Sequence, residues 1–119
     1  MGDQEDCCRM ATTHPVRSSK KLTRVFQALS DVKRLRIIRI LQAGEHCVCE
    51  ILDQMELSQS LLSFHLKVLR ESGLVTTRRE GRLVVYSLNP ARFDELSRQV
   101  DDLAEAARNA PERQVRDCP

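Results

Sequence analysis

Apolar residues recur along this chain with two different periods, and the change between them falls at Gly73. Before it, spacings of three and four dominate, the repeat of amphipathic helices. Leu22, Val25, Phe26 and Leu29 predict a short first helix. Ser30-Asp31 offers an N-cap to a second, which is apolar at 35, 37, 38, 40 and 41 and is stopped by Gly44. A helix apolar on most sides is expected at the centre of the core. A third helix is predicted from about Cys47 to Met55, with Ile51, Leu52 and Met55 on one face. Glu56-Leu57-Ser58 then reads as a tight turn whose Ser58 caps a fourth helix, from Gln59 to Ser72. Leu62, Leu66 and Leu69 form its apolar stripe and Gly73 its stop. A short helix, a tight turn and a capped second helix make a helix-turn-helix.

After Gly73 the texture is that of strands. Val75–Arg79 and Leu83–Leu88 are rich in β-branched residues and flank Glu80-Gly81, where the glycine can take the positive φ of a tight hairpin. Pro90 opens a last helix whose Phe93, Leu96, Val100, Leu103 and Ala107 repeat at alternating spacings of three and four. So small a chain has little core left to cover that stripe, so it is expected to meet its own copy. Leu22, Val25 and Phe26 of the first helix would share that interface. The expected fold is mainly α with a β-hairpin wing, a winged helix-turn-helix forming a homodimer through its first and last helices. Residues 1–19 read as a flexible cysteine-containing arm, 20–110 as the DNA-binding and dimerisation domain, and 111–119 as a disordered tail.

Composition narrows the class. A length of 119 residues leaves room for one core, and with aromatics at only 3% a large aromatic-lined pocket for an organic substrate is not expected. No apolar run reaches transmembrane length, and the polar, acidic start Met1-Gly-Asp-Gln-Glu-Asp does not resemble a secretion signal. The expected setting is therefore the cytoplasm, without membrane contact. The net charge of +2 conceals segregation: residues 17–39 carry eight basic side chains against Asp31 alone, and residues 58–88 five against two acidic ones. Residues 45–56 hold four carboxylates and no Lys or Arg. Patches of this kind decide whether a polyanion can dock.

With Leu62, Leu66 and Leu69 turned inward, the outer face of the fourth helix presents Gln59, Ser60, Ser63, Phe64 and Lys67. Glutamine can bond adenine through two hydrogen bonds, the serines suit bases or phosphates, and lysine suits a phosphate. Arg78, Arg79 and Arg82 gather around the hairpin turn, where a wing would lie along the DNA backbone. These residues predict a double-stranded DNA partner.

The stretches Leu57–Val75 and Arg78–Leu88, with Ala28–Ile38 before them, closely resemble the ArsR/SmtB family of metal-responsive repressors. The resemblance spans roughly residues 22–100 and implies a homodimeric repressor on a partly palindromic operator, released by an inducer. His65 falls on the family's Ser-x-His-Leu pattern and is grouped with the DNA-facing residues, although a lone histidine near a helix centre is more often a packing residue. Phe64 stands where the family usually has a basic or polar residue, and either thymine methyls or the wing could receive it.

Five cysteines without a secretion signal argue for reduced thiols rather than a disulfide framework. Thiolates select soft ions over magnesium or calcium. Glu45-His-Cys-Val-Cys-Glu-Ile51 resembles the arsenical-binding box of the family, but Leu52 occupies the place of its third cysteine. Cys7 and Cys8 are the obvious source of the missing ligand. Arsenite or antimonite would take Cys47, Cys49 and one of Cys7 or Cys8; all four thiolates would instead suit Cd2+ or Pb2+. Two other readings stay open: Cys47 and Cys49 as small fillers of a helix start, and the thiols as a redox or persulfide sensor. Cys118 reads as incidental. The zinc site that relatives carry on the last helix is not expected, because residues 90–110 contain no His. Nor is an enzyme: Cys-x-x-Cys spacing, a Gly-rich phosphate loop and a metal-activated water motif are all missing.

Overall fold

The computed structural model describes residues 16–117, with side chains from Lys20 onward. Cys7, Cys8 and Cys118 lie outside the described residues. The elements in chain order are α1 (Val16–Leu29), α2 (Val32–Gln42), β1 (His46–Cys47), α3 (Val48–Asp53), α4 (Gln59–Glu71), β2 (Val75–Glu80), β3 (Leu83–Leu88) and α5 (Pro90–Asn109). The three strands form one antiparallel sheet in the order β1-β3-β2. The first helix begins at Val16, inside the stretch expected to be arm.

Local chemistry sets most boundaries. Asp31 is the N-cap of α2, accepting the backbone N–H groups of Lys33 at 2.8 Å and Arg34 at 3.3 Å. Ser58 caps α4, its hydroxyl accepting from the Leu61 N–H at 3.1 Å. These bonds satisfy amides that a helix start leaves without partners. Gly73 follows α4 at φ +83°, a conformation costly for any residue with a side chain. The hairpin closes on Gly81-Arg82 between the paired Glu80 and Leu83, with Gly81 at φ +63° and Arg82 at negative φ. Glycine at the first turn position alone is the type II′ preference.

The core joins Val25 and Ala28 of α1, Ile37, Ile38 and Leu41 of α2, Ile51 of α3, Leu62, Leu66 and Leu69 of α4, and Met55, Leu74 and Val75 between and beyond them. The second helix is less central than its composition suggests. Leu35 is 44% exposed and Ile40 only half-buried. At about 100° per residue, both lie roughly 110° from the direction shared by Ile37, Ile38 and Leu41, on the shoulders of a one-sided face. Val25 also departs from expectation. It is 5% exposed within its own protomer, so it is a core residue and not part of an outward stripe.

The third helix is shorter than the periodicity predicts. Cys47 is spent on β1, where it pairs with Val85 while His46 pairs with Tyr86, and its extended backbone (φ −85°, ψ 166°) makes it the N-cap of α3. Its amide donates to the Glu50 carboxylate at 3.0 Å, one half of a capping box. The last helix has no buried residue: Phe93 and Leu96 lean on the core, whereas Val100 and Leu103 stand 43% and 58% exposed.

Candidate nucleic-acid interface and thiol site

The turn after α3 and the Ser58 cap set α4 on the core through Leu62, Leu66 and Leu69, which leaves the opposite face to solvent. Gln59, Ser60, Ser63, Phe64 and Lys67 are all exposed on it. Lys67 sits 3.9 Å from Glu71. Phe64 is 55% exposed, its ring edge-on to His65 with centroids 5.5 Å apart, so it stands out from the helix surface.

His65 is corrected by its burial. It is 5% exposed and turned away from the outer face, with Nδ1 3.1 Å from Nη1 of Arg34. Arginine has no acceptor, so this imidazole nitrogen accepts and the proton sits on Nε2. The groups around it are Asp31, Arg34 and Lys33, and burial holds its pKa below the ordinary histidine range despite the Asp31 carboxylate. A folded pKa below the unfolded value of about 6.5 means that unfolding takes up a proton below that pH. This contribution to stability is complete above about pH 6.5 and is lost as pH falls through the folded value. The melting temperature should therefore drop between pH 7 and pH 5. His65→Asn, whose Oδ1 can still accept from Arg34, should flatten that dependence in calorimetry.

The wing arginines divide. Arg79 and Arg82 are exposed and make no ion pair among the described residues. Arg78 is held instead: Nε and Nη2 each donate to Glu45 at 3.0 Å, and Nη1 donates to Glu80. These bonds raise the Arg78 pKa further and lower that of Glu45. Its charge is already paired within the chain, so it is expected to contribute less to DNA binding than Arg79 and Arg82. Arg79→Ala and Arg82→Ala should each reduce the slope of log affinity against log salt by about 1, while Arg78→Ala should leave it nearly unchanged. Fluorescence anisotropy across a salt series checks this.

Cys47 is half-buried at the strand–helix junction, and Cys49 is exposed in the first turn of α3. Neither is in a disulfide. Glu50, between them and the helix body, has its carboxyl pKa lowered by the Cys47 amide. Among the described residues no group of three or more His, Cys, Asp or Glu is placed to hold a metal ion. Two soft donors at one junction suit a thiophilic ion in chemistry but not in number, so any further cysteine sulfur must come from Cys7, Cys8 or Cys118, or from another chain.

Two residues that matter here escaped the sequence reading. Arg34 and Glu45 registered in charged clusters and in the family-like stretches but with no role of their own, and their partners lie 31 and 33 positions away. The one available signal was an acidic residue beside the thiol pair, facing a basic wing.

An arsenical resistance operon repressor of Staphylococcus xylosus is 39% identical over 84 residues, which are 71% of this chain and 81% of that protein. This chain belongs to the ArsR family. The family described as "Bacterial regulatory protein, arsR family" matches residues 31–77, from the α2 cap through the thiol pair and α4 into β2. A cadmium resistance transcriptional regulatory protein CadC homolog of Staphylococcus aureus is 40% identical over 76 residues, 63% of each chain. Among solved structures, an ArsR-like transcriptional regulator from Rhodococcus sp. RHA1 superposes with a TM-score of 0.70 at 27% identity, covering 76% of this chain and 87% of that one. This ArsR-family protein is thus a winged-helix transcription regulator, a family that binds DNA and is not one of enzymes. Among the described residues no helix is long and apolar enough to cross a membrane.

Proposed function

We propose that this ArsR-family protein is a repressor that grips operator DNA as a homodimer and lets go when arsenite or antimonite is captured by its thiolates. The observation that carries this reading is the position of Cys47 and Cys49. They stand where β1 passes into α3, the first helix of the DNA-reading pair. Gln59, Ser60, Ser63, Phe64 and Lys67 would enter the major groove, and Arg79 and Arg82 would take phosphates. The second protomer would cover the exposed Phe26, Val100 and Leu103, together with the half-buried Leu22, Phe93 and Leu96.

Cys47 is extended and Cys49 helical. Side chains two apart diverge on a helix and share a side on an extended segment. Drawing both sulfurs to one ion therefore works against the helical start of α3, whose Ile51 shares the core with Leu62, Leu66 and Leu69 of α4. Cys7 or Cys8 would complete a three-sulfur set. The cadmium-resistance relative favours a second reading in which all four thiolates hold Cd2+ or Pb2+.

The test is anisotropy of a labelled operator. Arsenite should weaken binding by the unmodified protein about 5–150-fold, the usual span of coupling between sites. A Cys47→Ser/Cys49→Ser variant should shift less than about twofold on that scale. Release by the variant equal to that of the parent would refute the proposal. X-ray absorption at the bound ion would count three sulfurs for the first reading and four for the second. Release by an oxidant or persulfide with no ion present would point to a redox sensor instead.

A further inference from the structure

Two sets of contacts join the thiol-bearing segment to the wing, and they occupy opposite ends of three residues. At one end the Glu45 carboxylate grips Arg78 of β2 through two bonds of 3.0 Å. At the other, His46 and Cys47 pair with Tyr86 and Val85 of β3. His46 and Cys47 thus run alongside the middle strand β3, held to it by backbone pairing, and the Glu45–Arg78 side chains reach past β3 to β2 on the far edge. Arg78 is steadied in turn by Glu80, next to the hairpin loop.

We infer that the Glu45–Arg78 pair is a strut that carries displacement of Cys47 to the wing when the thiols are occupied. The inference rests on the thiol-triggered release proposed above and assigns Glu45 and Arg78 as positioning residues for it. A two-residue strand alone can hinge about its few bonds and leave β2 in place. The bidentate pair removes that freedom, because two parallel bonds from a planar guanidinium fix direction as well as distance. Motion at Cys47 then drags β2 and the adjoining Arg79, which contacts phosphate in this reading. The pair is roughly half exposed on both sides, with side chains at 51% and 46% of full accessibility, so it adds little to folding. A strut can transmit no more free energy than breaking it costs. For an exposed pair of good geometry that limit is about two- to fivefold in an equilibrium.

The experiment uses full-length protein, sodium arsenite and a labelled operator duplex, and compares the parent with Glu45→Gln, Arg78→Gln and the double variant. Sulfur-to-arsenic absorption in the near ultraviolet should show equal loading of all four proteins. With each protein's release factor taken against its own ion-free operator affinity, that factor should fall about two- to fivefold in each single variant. The double variant should be no worse than either single one, because both remove the same strut. Amide exchange should add a reading without DNA: arsenite accelerates exchange at residues 79–83 of the parent and not of Glu45→Gln. Equal release factors in the parent and in loaded Glu45→Gln, or equal acceleration of exchange in both, would overturn the strut. A parent that loads arsenite and keeps its operator would overturn the repressor reading itself, and the strut with it.

Discussion

Ile51→Ala should lower the unfolding free energy by about 3–4 kcal/mol and abolish operator binding at growth temperature. Ile51 has no exposed surface and is the one buried residue of α3. Truncation removes the transfer free energy of the lost methyl and methylene groups and leaves a cavity that the neighbours fill only in part. The helix cannot compensate on its own, since six residues are far below the length at which an isolated helix holds together. Its place is set by Ile51 inside, with Val48 and Leu52 half-buried beside it. A domain of about this size loses roughly 4–8 °C of melting temperature per kcal/mol, so a fall of about 15 °C or more is expected in calorimetry. Leu35→Ala is the matching control. Both positions look like core from composition, but Leu35 is 44% exposed, and its truncation should cost less than about 1 kcal/mol. Equal losses at the two positions would mean that the assigned core face of α2 is wrong.

What could be read in the residues before the fold was known follows a physical line. Caps and turns act over two to four residues, so Asp31, Ser58, Gly73 and Gly81 all sit where local chemistry required. The stripe of Leu62, Leu66 and Leu69 was equally legible, because three leucines in phase leave a helix one way to face the core. β1 was not legible: a strand of two residues has no period, and it exists only because β3 offers it partners nearly forty positions later. His65 shares the leucine face, three residues after Leu62 and four before Leu69, so its inward turn was legible as well. The partners of His65 and Arg78 were not, because no local pattern records the reach of Arg34 or Glu45. The thiol site was half legible. The Cys-x-Cys spacing announced the chemistry, while the junction of strand and helix that gives it leverage needed the fold.

Arg34→Met should cost about 2–4 kcal/mol although it removes no apolar contact, because three acceptors lose their donor at once. Helices end with carbonyls that have no partner of their own. At the end of α1, Nε of Arg34 donates to the Ala28 carbonyl at 2.7 Å and Nη2 to that of Gln27 at 2.9 Å. The Gln27 oxygen also accepts from the Ser30 hydroxyl and amide, so it is still served after the substitution. Ala28 has no exposed surface, and His65 Nδ1 is nearly as enclosed, so neither acceptor can turn to water. An unsatisfied buried acceptor costs about 1–3 kcal/mol, and two of them dominate the estimate. Lysine should not rescue the loss, since one ammonium on a flexible stem cannot reach acceptors on α1 and α4 together. The consequence extends to DNA, because Arg34 ties the α1–α2 corner to the middle of the helix that carries Gln59, Ser63 and Phe64 on its far side. With that tie gone, α4 is free to rock about its leucine stripe. Operator affinity should fall at temperatures where circular dichroism still reports a folded chain. The imidazole supplies an independent check: nitrogen NMR should find the Nε2–H tautomer of His65 in the parent and a mixture in Arg34→Met. A parent in which Nδ1 carries the proton would contradict the bond on which this estimate rests.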